Sequence, residues 1–580
     1  MSNDVFPAND PAFEGIDAAM EAMIRDFEVP GMAVAAIRGD DVVLSKGYGL
    51  RNLEDQLPVD SETIFAIGSA SKAFTTMDLA ILVDRGLLDW DRPLREYMPT
   101  FKLYDAVASE HMTPRDLVCH RSGLPRHDML WYNSPLSRQE IFDRLRYLEP
   151  NKDFRSTWQY QNLMFLTAGM LVEAVSGLSW EEFTRREIFE KIGMGRSNFS
   201  VEKSQADNNF SYPHTGVDGE IKRIPFRNID TIGPAGSINS CLADMARWVR
   251  LHLHGEVDGV DVVSKAQLKE LHGPAMVMPE AFMGLENFKE ISQGNYALGW
   301  FVHYYRGRKL VHHGGAIDGF LAMISFMPDE NIGTVVLTNL SGVDAMWAST
   351  MHLYDRLLGL EPLPWHERWL EQTKKAKEAT ARGEEQTASK KVQGTQPSHD
   401  LAAYAGEYEH PGYGIFTVSY ADGGLRAFYN NIPHRLEHYH YDIFEARSEE
   451  ALDHGGLPVF FHTDYQGNIG SLTTPLEPSV AHIRFERLPD SSMRTRAFLE
   501  PLTGRYDLDG KEVIVAFKGE DTLSISMTSM PETELEPYMG MQFKLKELDV
   551  VQVEFKKDGD EVTSLEITQP GGAFNAKKVA

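Results

Sequence analysis

The chain has 580 residues, 42% hydrophobic and 24% charged, enough for roughly two to four domains that each bury a core. Acidic residues outnumber basic ones 85 to 57, and a formal net charge of −28 repels nucleic acid and anionic membranes while tolerating neutral or cationic small substrates. Charges interrupt the apolar runs well short of the roughly 20 residues that span a bilayer, and two cysteines, Cys119 and Cys241, are too few for a disulfide framework or a zinc cluster. The start MSNDVFPANDPAFEGIDAAM has no basic region followed by an apolar one, so the expected location is cytoplasmic.

A helical pattern from Phe13 to Phe27 leads into VPGMAVAAI, the turn RGDD and VVLSKGYG, a helix and then a β-hairpin. Further helical stretches run between about Ser69 and Gly177, and LADMARWVRLHLHG follows Ser240 as a candidate N-cap. Strand patterns return at YALGWFVHYY, KLVHHGG, FLAMISFMP and GTVVLTN. Strands from both ends around a helical middle predict an α/β (α+β layered) sandwich with a mostly antiparallel sheet over residues 8–364. Residues 365–397 read as a charged helical connector and linker. Beyond it the pattern is strand and turn, and Gly406/Gly504, Tyr408/Tyr506 and Leu425/Leu523 recur 98 positions apart. Two small all-β, barrel-like modules are expected, over 398–490 and 491–580.

The stretch FAIGSASKAFTTMDLAILVDRG places Ser69 and Lys72 at the mouth of an apolar helix. Free N–H groups there favour developing negative charge, and a lysine one turn on shares the serine's face. A second S-x-x-K, Ser200 to Lys203, lies in the polar run NFSVEKSQADNN and reads as a cap. The serine needs a base. Tyr160-Gln161-Asn162, ahead of another apolar helix, offers a phenol whose ionisation a nearby ammonium would ease and an amide for lysine and substrate; Lys72 with a depressed pKa is the other candidate base. In VHHGGAIDGF, a strand carries His313 before Gly314 and Gly315, where a substrate backbone can lie close. Consecutive strand residues face opposite ways, so His312 and His313 do not chelate one ion; neither they nor His434, His438 and His440 predict a metal, and no cofactor motif is present. A further Tyr-x-Asn, Tyr429 to Asn431, falls in the β repeat and reads as coincidental.

Ser69-x-x-Lys72, Tyr160-x-Asn162 and His313-Gly314-Gly315, in that order and with FAIGSASKAFT, TPRDLVCHRSGLP, PAGSINSCLADMARW and HHGGAIDGF between them, resemble the class C β-lactamase and penicillin-binding serine hydrolase family over about residues 8–362. The resemblance implies acylation of Ser69, an oxyanion hole from the N–H groups of Ser69 and Ala316, proton transfer by Tyr160 and Lys72, and Asn162 and His313 lining the site. β-Lactam-hydrolysing relatives carry Lys-Thr-Gly where this chain has His313-Gly314-Gly315, and losing that charge and hydroxyl points away from β-lactams. The His-Gly-Gly form and trailing β modules look more like D-aminopeptidases, which implies a small amide, peptide or ester substrate and a homo-oligomer. The alternatives are a carboxylesterase or weak β-lactamase, and, in another class, a catalytically silent penicillin-binding or ligand-binding protein.

Overall fold

The two ends of the first 340 residues meet in one sheet. The computed structural model describes residues 10–217, 219–279, 284–449, 456–465, 467–527, 530–546 and 548–579; positions 8, 9 and 580, at the ends of the expected domains, lie outside these. Nine antiparallel strands follow the order Met276–Val277, Ile291–Tyr296, Phe301–Tyr305, Arg308–Ile317, Phe320–Met327, Ile332–Thr338, Gly31–Arg38, Asp41–Asn52 and Leu57–Pro58. The register joining the ends pairs Ala35 with Val335. Gly31–Arg38 is apolar on both faces because helices cover both. Ala33, Ala35 and Ile37 share a core with helices Ser71–Asp84, Asn162–Ser176 and Leu242–His254. Met32, Val34 and Ala36 share the opposite one with Ile16–Asp26 and Ala345–Leu357. A one-residue slip would exchange these faces, so the register is firmly specified.

Two local expectations change. The helix behind Ser240 is capped at Cys241, without a side-chain bond. Ser240 instead belongs to the strand Asn239–Ser240, which pairs with Phe65–Ala66 and so leads into the Ser69 turn. The run YALGWFVHYY is not one strand: it bends between Tyr296 and Phe301, where Ala297 N–H donates to Trp300 O at 2.7 Å. The helix Trp365–Ser389 begins inside the second core, with Trp365 and Trp369 buried. No single helix among the described residues is long and apolar enough to cross a membrane.

The C-terminal region forms two closed eight-stranded barrels, Gly406–Arg487 and Gly504–Lys578. The 98-residue repeat is structural: Tyr408 OH donates to Tyr404 O at 2.8 Å and Tyr506 OH to Leu502 O at 2.7 Å, both rings fully buried. Leu425 and Leu523 point into their respective cores.

Candidate active site

Ser69 sits in a single 3₁₀ turn, Gly68–Ala70, that runs directly into the helix Ser71–Asp84. Gly68 takes φ +49°, and a Cβ there would fall 2.8 Å from Ala316 N. A Cβ on Gly315 would fall 1.8 Å from Ile67 O and 3.1 Å from Ser69 N. Only glycine at both positions lets the serine turn press against the strand Arg308–Ile317, which brings the backbone amides of Ser69 and Ala316 to one place.

Lys72 is fully buried in the first turn of that helix. Its Nζ donates to Ala235 O at 2.7 Å and lies 2.9 Å from Ser69 Oγ. It also sits 4.8 Å from the centre of the Tyr160 ring. Burial drives the amine well below the ordinary lysine range, the Arg126 cation pushes the same way, and Asp128 opposes them. Burial raises the Tyr160 phenol, against its hydrogen bond with Ser69 and the Arg126 charge. Burial thus works against the easily ionised phenol that the sequence pattern suggests, and the Lys72 amine lies over the ring face.

Gln161 caps the helix Asn162–Ser176, its side chain accepting from Leu163 N–H, and its own N–H donates to His120 Nδ1 at 3.0 Å. This fixes Tyr160 beside the His120 ring, centroids 4.4 Å apart. Asn162 Nδ2 donates to Asp128 Oδ1 at 2.9 Å. His313 is 1% exposed. Its Nδ1 lies 2.7 Å from Gly314 O, a pure acceptor, so Nδ1 carries the proton and Nε2 accepts from Tyr296 OH at 3.0 Å. Burial, with the Lys72 charge, lowers its pKa to about 3, so the ring is neutral.

A cavity of about 230 Å³ opens at Ser69, and Asn162 and Ala316 line it. Lys72, Tyr160, His313, Gly314 and Gly315 form the layer behind that lining. Sequence reasoning missed the rest of the wall: Arg126, Asp128, Met129, Trp131, Tyr132, Ile229, Ile232 and Ile317. Arg126 Nε and Asp128 Oδ2 pair at 2.5 Å, the arginine half exposed and the aspartate mostly covered. The available signal was RHDMLWY, a segment crowded with charged and aromatic side chains just after the motif-like TPRDLVCHRSGLP. Ser200 is a plain N-cap that accepts from Glu202 N–H at 3.2 Å. Among the described residues no group of three or more His, Cys, Asp or Glu side chains could hold a metal.

A serine one turn ahead of a buried lysine, at the entry to a helix packed against an antiparallel sheet, is the arrangement of a serine hydrolase of the β-lactamase type. Residues 16–354 match the Beta-lactamase family model, and the chain belongs to that family. Residues 390–487 match a domain of unknown function (DUF3471), covering the first barrel. The chain is 28% identical over 430 residues to "Unguisins hydrolase ungD'" of Aspergillus campestris, covering 71% of this chain and 78% of that protein. It is 23% identical to "Protein flp" of Staphylococcus aureus, covering 56% and 62%. The octameric penicillin-binding protein homologue from Pyrococcus abyssi shares the fold, with a TM-score of 0.53 at 22% identity over 82% of this chain and 99% of that one.

Proposed function

We propose that the chain hydrolyses small peptides or amides of the D-aminopeptidase kind through an acyl-enzyme on Ser69. The observation that carries this reading is the fully buried Lys72, its Nζ 2.9 Å from Ser69 Oγ and its amine disfavoured as a cation. Neutral Lys72 takes the hydroxyl proton as Ser69 Oγ bonds to the substrate carbonyl carbon. The carbonyl electron pair moves onto oxygen, which the Ser69 and Ala316 N–H groups receive. The intermediate collapses by breaking the bond to the leaving amine, which takes the proton from Lys72 by way of the Tyr160 hydroxyl. A water then attacks the acyl-enzyme by the same route and restores Ser69. Asn162 meets the substrate amide, and His313 fixes the Tyr160 side of the site. The space that Gly315 leaves is taken by the Ser69 turn, and that beside Gly314 by Ala322 and Met323, so neither glycine makes the room for substrate backbone that the sequence suggests.

Met129, Trp131, Ile229, Ile232 and Ile317 favour an apolar acyl group. The hydrolase name of the Aspergillus relatives supports turnover over silent binding, and the octamer of the Pyrococcus abyssi homologue supports a homo-oligomer, which light scattering would test. An ester satisfies the same geometry, so a carboxylesterase is the second reading. A panel of D- and L-amino acid amides, short esters and a chromogenic β-lactam, run on wild type and Ser69→Ala, decides between them. Amide turnover that disappears in Ser69→Ala supports the proposal; turnover of esters alone replaces it with the second reading, and no turnover of any substrate leaves a binding protein.

A further inference from the structure

The wall of the Ser69 cavity is held from outside the catalytic sandwich. His127 stands between Arg126 and Asp128, two cavity residues, and takes φ +47° while fully buried. A non-glycine residue persists in that region only where its surroundings over-determine it. Here the first barrel supplies two hydrogen bonds, one to the His127 backbone and one to its ring. His127 N–H donates to Glu477 Oε2 at 2.9 Å, across 350 positions of sequence. Its Nε2 lies 3.0 Å from Glu149 O and must therefore donate, leaving Nδ1 to accept from Tyr413 OH at 2.7 Å. Both Tyr413 and Glu477 are buried.

Two residues on, Met129 O accepts from Tyr429 OH at 3.0 Å and from Asn430 Nδ2 at 2.6 Å. Asn133 Nδ2 donates to Asn430 O at 3.0 Å, and Asn431 Nδ2 returns a bond to Asn133 O at 3.1 Å. Asn430 and Asn431, at φ +49° and +59°, form the two-residue turn of a barrel hairpin. Asparagine suits that turn and aims two amides at the loop. No barrel side chain lines the cavity among the described residues. The barrel's hydrogen bonds to the segment that lines the cavity all fall on this loop.

We propose that the first barrel is a brace for the active site. Tyr413, Glu477, Tyr429 and Asn430 are positioning residues that set the 126–129 wall and, through Asp128, the orientation of Asn162. The inference rests on the Ser69 reading and adds a job for a domain that the comparison leaves without one. Its consequence is selective: an acyl group long enough to touch the wall depends on the brace, and an acetyl group does not.

The test uses the full-length protein and compares kcat/KM for a bulky aromatic-acyl ester with that for an acetyl ester, alongside labelling by a small fluorophosphonate. In Tyr413→Phe and Glu477→Ala the bulky substrate should lose about tenfold or more, the scale on which small misplacements act, while the acetyl ester stays within about threefold and labelling keeps its rate. Glu477→Gln should recover much of the loss, because an amide oxygen still accepts from His127 N–H. Val459→Ala, in the barrel interior away from the loop, should lower the melting temperature without moving the ratio. Should Glu477→Ala fail to fold, Tyr413→Phe, which removes a single oxygen, carries the test. An unchanged ratio in the folded brace variants, or an equal change in Val459→Ala, overturns the proposal. Retained turnover in Ser69→Ala would instead overturn the Ser69 reading, whatever the ratio does.

Discussion

The two barrels share a fold, a strand order and a repeated tyrosine bond, yet they stand in different relations to the chemistry. The core of the first is continuous with that of the catalytic domain: Tyr408, Phe416 and Phe485 belong to the same apolar cluster as Phe74 and Leu163 of the catalytic helices. The second keeps a separate core around Tyr506, Phe543 and Phe555. The bracing residues do not repeat with the fold. At the 98-residue offset, Tyr413 and Tyr429 are replaced by Lys511 and Met527. The barrel is thus a scaffold, and the few side chains at one of its rims decide whether it bears on the site.

Truncation gives the largest contrast. A chain ending near residue 490 loses only the second core and should stay folded with near-normal turnover. One ending near residue 396 removes the barrel's share of a common core, bares the catalytic face packed against it and strands the buried His127, so aggregation or loss of activity is expected, read by size-exclusion chromatography and turnover. A soluble, fully active short chain would erase the distinction between the barrels.

Within the catalytic domain, Lys72→Ala should lower kcat by about 10²–10⁴-fold with the fold intact, because the proposed mechanism takes the Ser69 proton onto this amine. Subtler are the charges on the braced loop. Lys72 must be neutral to accept a proton, so activity falls as pH drops through its pKa, which burial places well below the ordinary lysine value. Removing the repelling cation in Arg126→Ala raises that pKa and moves the acid limb of kcat/KM to higher pH. Asp128→Asn removes the anion that favours the charged amine and moves the limb lower. Opposite shifts in pH–rate profiles support this field; shifts of one sign contradict it. The smallest effect concerns the repeat: Tyr408→Phe and Tyr506→Phe each lose a buried hydrogen bond worth about 1 kcal/mol. In calorimetry the first should lower the transition that also abolishes activity, and the second only that of the distal barrel.

Much of this was legible in the sequence because its causes are local. Ser69 and Lys72 stand out by opening an apolar helix, whereas Gly315 reads from sequence as room for a substrate backbone and in the fold admits the Ser69 turn instead. The wall was not legible because its supports are distant. Tyr429 and Asn430 act on Met129 from about 300 positions away, and the pattern Tyr429 to Asn431 reads as coincidental until the barrel is closed. Ser240 fails as a cap for the same reason: its partner strand, Phe65–Ala66, lies far back in the chain and competes with the helix for it. The ionisation of Tyr160 also turns on burial, which spacing does not encode.

The central claim is that Ser69 is the residue acylated. Intact-protein mass spectrometry with a serine-directed phosphonate, followed by peptide mapping, tests it most directly. One adduct per chain on the peptide containing Ser69, absent in Ser69→Ala together with turnover, is the predicted result. An adduct on Ser200, or full turnover in Ser69→Ala, would contradict the account.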